Sequence, residues 1–219
     1  MMELASRYWS SFAILVGVCV VLFFMAGKDK SSADEKADLT RFNAFQKNYL
    51  LVFLLAMFSD WLQGPYVYEL YVSYGYDQQA IAELFVCGFG SSMIVGTFVG
   101  GLADKYGRKV MCILYAVTYI AACMTKLFNH YWILMIGRFL SGIATSLLFS
   151  AFETWMVCEH SKNGFDSSLI GNTFSLATFG NGLIAVIAGI VAKTAAESFG
   201  FVGPFMVAIL PLTAVAGMK

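Results

Sequence analysis

Charge is what this chain has least of. Asp, Glu, Lys and Arg together make up 13% of its residues, where a soluble domain carries roughly a quarter. The formal net charge is zero, so no field draws the chain to nucleic acid or to an acidic polymer. It has no C-x-x-C, and its two histidines lie far in sequence from its five cysteines. That excludes a zinc site and a disulfide scaffold and leaves the thiols as buried, inert groups. There is also no Ser/His/Asp set, no phosphate-cradling loop and no metal-ligand spacing. The sequence therefore reads as a non-enzyme with no cofactor and no ATP-driven step.

Apolar residues are abundant instead. They form 59% of the chain, and the mean hydropathy is +0.71. Seven apolar segments approach the length of about 20 residues that an α-helix needs to cross a bilayer. They cover residues 8 to 26, 48 to 71, 80 to 103, 110 to 128, 131 to 157, 169 to 192 and 201 to 218. The fold class expected is an all-α membrane protein. Residues 27 to 43 mix lysines and acids without periodicity and read as a flexible linker. The domain division is an extra N-terminal helix in residues 1 to 27, a linker in 28 to 47 and a six-helix bundle in 48 to 219.

Basic residues set the expected orientation. Lys28, Lys30, Lys36, Arg41, Lys47, Lys105, Arg108, Lys109 and Lys162 fall on one side, which reads as cytoplasmic. Arg7, Lys126 and Lys193 fall on the other. The N-terminus is then outside and the C-terminus inside, in a multi-pass protein of the cell membrane. The first segment has a rival reading as a cleavable signal peptide. Phe24 stands where cleavage needs a small residue, and Lys28 and Lys30 follow directly. Both features favour a retained helix.

Between the third and fourth segments lies Gly100-Gly101-Leu102-Ala103-Asp104-Lys105-Tyr106-Gly107-Arg108-Lys109. This turn resembles the signature loop of the major facilitator superfamily. A second likeness narrows the branch. Ser59-Asp60-Trp61-Leu62-Gln63-Gly64-Pro65-Tyr66, together with Gly137-Arg138-Phe139-Leu140-Ser141-Gly142 and Leu147-Leu148-Phe149-Ser150-Ala151-Phe152-Glu153-Thr154-Trp155, resembles the molybdate-anion transporter family. The likeness runs from about Phe42 to the C-terminus. It implies half of a facilitator fold, with the second bundle missing and one helix added in front, and import of molybdate. Two other readings stand beside it: a facilitator for another small anion or solute, and a non-transporting piece that associates with a full-length copy or with itself. The expected partners are the oxyanion and the lipid bilayer.

The candidate substrate-binding residues are Arg138, Asp60, Gln63 and Tyr66. An acid at mid-helix costs about 2.5–3.5 kcal/mol on insertion scales, so Asp60 should face a cavity or a partner. Gln63 shares its helix face and brings an amide donor that suits an oxyanion. Pro65 should break the helical ladder. Arg138 is the one base deep in an apolar segment, and its fork of donors matches a tetrahedral dianion. A general role in holding helices together stays open for it. Gly100, Asp104, Gly107, Arg108 and Glu153 are assigned gating or structural roles. Glu153 lies fifteen residues beyond Arg138, about 22 Å along a helix, so the two cannot pair. It is expected to meet Arg108 or another base of the signature turn. Gly96, Gly100, Gly171, Gly180, Gly182 and Gly189 allow close backbone approach, either within the bundle or toward a second one.

Overall fold

The computed structural model describes Gly17, Val18, Val21 and residues 33 to 217, with side chains from Asp38 onward. The segment at 8 to 26, apart from Gly17, Val18 and Val21, lies outside the described residues, as do the alternative of a signal peptide and Lys219. Two compact units divide the chain, Met1–Arg41 and Phe42–Lys219. In the first, Asp38 and Arg41 pair at 3.8 Å across one helical turn.

The described residues form helices joined by short turns, without strands. Helix α1 spans Ala33–Gln63, and a single 3₁₀ turn, Gly64–Tyr66, separates it from α2, Val67–Ser73. The interruption sits at Pro65, which lacks an N–H to give to the ladder. Then follow α3, Gln78–Tyr106; α4, Arg108–Thr125; α5, Tyr131–Lys162; α6, Ser168–Phe199; and α7, Gly203–Gly217. Asp77 starts α3 by accepting the Ala80 N–H at 2.9 Å. Asp166 performs a related task before α6, accepting the Ser168 N–H at 2.8 Å. That bond holds the Asp166 carboxyl below its ordinary pKa.

Among the described residues, five spans are long and apolar enough to cross a membrane, the first running Asp38–Ser73 through the 3₁₀ turn. Helix α7 is apolar over its 15 residues and runs to Gly217, the last described position. The linker at 28 to 47 differs from the expectation, since α1 begins at Ala33, fifteen residues before the apolar segment that starts at 48. Ala, Glu, Lys, Leu and Arg between 33 and 41 are strong helix formers, and a growing helix extends into them from its apolar half.

Small residues bring the helices together. A Cβ on Gly142 of α5 would collide with Ser91 Oγ and the Gly88 carbonyl of α3. One on Gly137 would strike Thr125 of α4. Gly96 packs against Ser146 and Gly180 against Leu54, so these two serve the bundle itself. Gly100, Gly171, Gly182 and Gly189 meet open space. Aromatic and aliphatic groups fill the middle: Tyr115 of α4 meets Phe152 of α5 edge-on at 5.4 Å and donates to the Ala56 carbonyl of α1 at 3.0 Å. Val86, Phe89, Met93 and Phe98 of α3 point outward and are well exposed. An apolar outer face of this kind suits a hydrocarbon solvent.

Candidate functional site

The signature turn closes locally. Asp104, in the last turn of α3, accepts from the Arg108 guanidinium at 2.9 Å at the first position of α4. Gly107 between them has φ +86°, a backbone region costly to any residue with a Cβ. The tight reversal therefore needs glycine there. Arg108 pairs with Asp104 through one terminal nitrogen while its Nε is buried without a partner, and no ion pair joins Glu153 to Arg108 among the described residues. The expected Glu153–Arg108 bridge is corrected accordingly: an i,i+4 partner lies within reach without any tertiary movement.

Asp60 and Gln63 do share one face of α1, and α4 supplies their partners. The Tyr119 hydroxyl donates to Asp60 Oδ1 at 2.6 Å. Gln63 is buried; its amide N–H donates to the Ser59 carbonyl at 3.1 Å, and Cys123 Sγ–H meets Gln63 Oε1 at 3.3 Å. Tyr119 and Cys123 stand four residues apart on α4, so the two polar contacts stack along one seam. Tyr66, on the 3₁₀ turn, faces the Phe201 ring at 6.4 Å.

Lys126 continues the α4 stripe and was missed as a site residue. The orientation argument counts it on the outer side, at the end of the segment 110 to 128, and it is 1% exposed. Its ammonium donates to the Ala122 carbonyl at 3.3 Å and to Ser141 Oγ of α5 at 3.4 Å. It also lies 5.1 Å from the centre of the Phe205 ring of α7. Among the described residues no carboxylate pairs with it. The signal was present in the sequence: Met124-Thr125 and Leu127-Phe128 bracket this lysine inside an apolar segment.

Arg138 lies on the α3–α5 seam. Its Nε donates to the Leu84 carbonyl at 3.3 Å, and the guanidinium stacks 4.6 Å over the Phe85 ring. A Cβ at Gly88 would stand 2.8 Å from its terminal nitrogen, so that glycine makes the room it occupies. Among the described residues Arg138 has no ion-pair partner, and no hydrogen bond joins it to Asp60, Gln63 or Tyr66. The four candidates thus split into an α1–α4 pair, Asp60 with Gln63, and two separate positions. An unneutralised guanidinium held by a carbonyl and a ring can still accept an oxyanion.

A cavity of about 400 Å³ opens between α1, α5 and α6. Tyr49, Phe53, Phe149, Glu153, Phe174 and Asn181 are among its walls. The Trp61 indole N–H donates to Asn181 Oδ1 at 2.9 Å beside it.

Comparison with known proteins agrees with this architecture. A family model described as sugar transporters with 12 TM matches residues 7–218. A molybdate-anion transporter from Takifugu rubripes is 39% identical over 198 residues, 89% of this chain and 41% of that protein. One from Danio rerio is 39% identical over 211 residues, covering 94% and 44%. One from Xenopus tropicalis is 37% identical over 198 residues, covering 90% and 44%. The chain therefore spans less than half the length of these relatives. No solved structure matches it. With the signature turn, the broken first core helix and these relatives in place, the chain belongs to the molybdate-anion transporter family of the major facilitator superfamily.

Proposed function

We propose that this bundle is the N-terminal half of a carrier that moves molybdate across a membrane by alternating access, two bundles rocking about a site near the midplane. The observation that carries the reading is the 37–39% identity to molybdate-anion transporters across nine-tenths of this chain. The arrangement of bases supports it. Arg138 has a planar donor fork, no carboxylate to neutralise it among the described residues, and a glycine-lined recess. A tetrahedral dianion asks for such a group. In this reading Asp60 and Gln63 form the polar wall on α1, and Tyr66 adds to it from the 3₁₀ turn. Asp104, Gly107 and Arg108 brace the cytoplasmic turn, and Gly100 presents a flat helix face to the second bundle.

The test is molybdate accumulation in molybdate-starved cells lacking their own carrier. They express this chain alone or together with the second bundle of a relative, with surface level checked. Accumulation should rise over the empty cells and fall by tenfold or more, roughly the loss of one charge-assisted contact, in Arg138→Ala. Equal accumulation with Arg138→Ala overturns the assignment of that residue. No accumulation in either arrangement overturns the carrier reading.

The family model's description, sugar transporters, favours a second reading in which the cargo is neutral. There, excess molybdate leaves solute uptake unchanged, and Arg138 acts as a helix brace.

A further inference from the structure

We propose that the cavity walled by Tyr49, Phe53, Phe149, Glu153 and Phe174 binds a small organic cation of the ammonium class, at a site separate from Arg138. Glu153 is the one charged group in the lining, and among the described residues it makes no ion pair and no hydrogen bond. A free carboxylate at the wall repels an oxyanion and attracts a cation. Tyr49 belongs to the wall, but its hydroxyl is sealed from the space, so the aromatic side chain and not the phenol is what it contributes.

The walls narrow the class further. Tyr49, Phe53, Phe149 and Phe174 make the lining rich in aromatic side chains, the residue type that recognises alkylammonium groups. Phe53 and Tyr49 stack on each other at 5.7 Å, 14° from parallel, and Phe149, 54% exposed, is the ring most open to a ligand. A volume of about 400 Å³ lies in the range of small-molecule sites and far exceeds what a proton needs. A bare divalent ion is disfavoured, because it requires several oxygen ligands and no group of three His, Cys, Asp or Glu side chains assembles among the described residues.

The experiment is equilibrium dialysis of the purified full chain in detergent against radiolabelled choline. Tetramethylammonium and dimethylbutanol, the neutral carbon isostere of choline, serve as competitors. Choline should bind saturably, tetramethylammonium should displace it and dimethylbutanol should not. Glu153→Gln should weaken binding by about tenfold or more, as expected for removing the counter-charge. Phe149→Leu should weaken it a few-fold, roughly the worth of one aromatic face. Phe149 is 54% exposed, so this variant leaves the core intact even where another unfolds. Three results each overturn the proposal: absence of saturable binding, equal competition by dimethylbutanol, or binding undiminished in both variants. Molybdate is absent from the assay, so its outcome and that of the uptake experiment fail independently.

Discussion

The Tyr119 hydroxyl meets the Asp60 carboxylate at 2.6 Å, a contact between residues 59 apart in sequence that joins α4 to α1. An acid at mid-helix must find a donor, because no water in the hydrocarbon layer will serve it. Tyr119 is that donor. Its own side chain is almost fully buried.

Tyr119→Phe therefore removes the donor while keeping the ring. We expect a loss of about 1–3 kcal/mol, the cost of a buried polar group left unmade. Asp60→Asn should cost less than Tyr119→Phe, since an amide carbonyl still accepts from the phenol and carries no charge to bury. Thermal unfolding of the purified chain in detergent, followed by size-exclusion fluorescence, ranks the two. The opposite order would show that Asp60 keeps its place through another contact.

The signature turn allows backbone and charge to be separated. At Gly107 nothing stands within 4 Å of an added Cβ, so Gly107→Ala acts only through its positive φ. It should cost about 1–2 kcal/mol, the left-handed penalty for a residue with a Cβ. Arg108→Ala removes a pair whose Asp104 partner is 70% exposed, and it should cost under about 1 kcal/mol. Melting temperatures of the two variants settle the comparison. A larger drop in Arg108→Ala would mean that the guanidinium has a structural role beyond Asp104.

The glycines of the bundle predict opposite signs. Gly142→Ala pushes a methyl into Ser91 Oγ and the backbone of α3 and should cost about 1–3 kcal/mol or more, as overpacking does. Gly100→Ala meets nothing within 4 Å and should stabilise the isolated chain by about 0.5–1 kcal/mol through the unfolded state. Paired melts in detergent read both. In a complex with a second bundle, Gly100→Ala should instead weaken association if that face is the docking side.

Lys126 is a buried base without a carboxylate, and such groups rarely add stability. Lys126→Met keeps the stem volume and removes the charge. It should melt at the same temperature or higher, while lowering molybdate uptake if the ammonium adds to the anion-attracting field of Arg138. A lower melting temperature would show that the bonds to Ala122 and Ser141 stabilise the α4–α5 contact.

Much of the fold was legible from residue order. Apolar runs separated by turn residues marked the core helices, because helix geometry and bilayer thickness are local demands that each segment meets alone. Pro65 marked the break in the first, since a missing N–H is a property of the residue itself. The site was legible only in part. Asp60 and Gln63 sharing a face follows from 3.6 residues per turn. The donor across from Asp60 does not, because many tyrosines of similar context were available.

The burial of Lys126 was not legible for a related reason. Counting bases assigns a side and says nothing of packing, whereas the long stem lets this lysine fold back between α4, α5 and α7. Glu153 was expected at Arg108 because both lie toward one end of the bundle, but the guanidinium pairs instead with Asp104, four residues away on the chain. The sequence by itself determined membrane class, the positions of the core helices, the proline break and the glycine turn, all consequences of local covalent chemistry and hydropathy. Tertiary structure alone decided that Tyr119 serves Asp60, that Lys126 is buried, and that Glu153 shares one cavity wall with Phe149 and Phe174. Those outcomes depend on which faces of separate helices meet, and that is set by packing summed over the whole bundle.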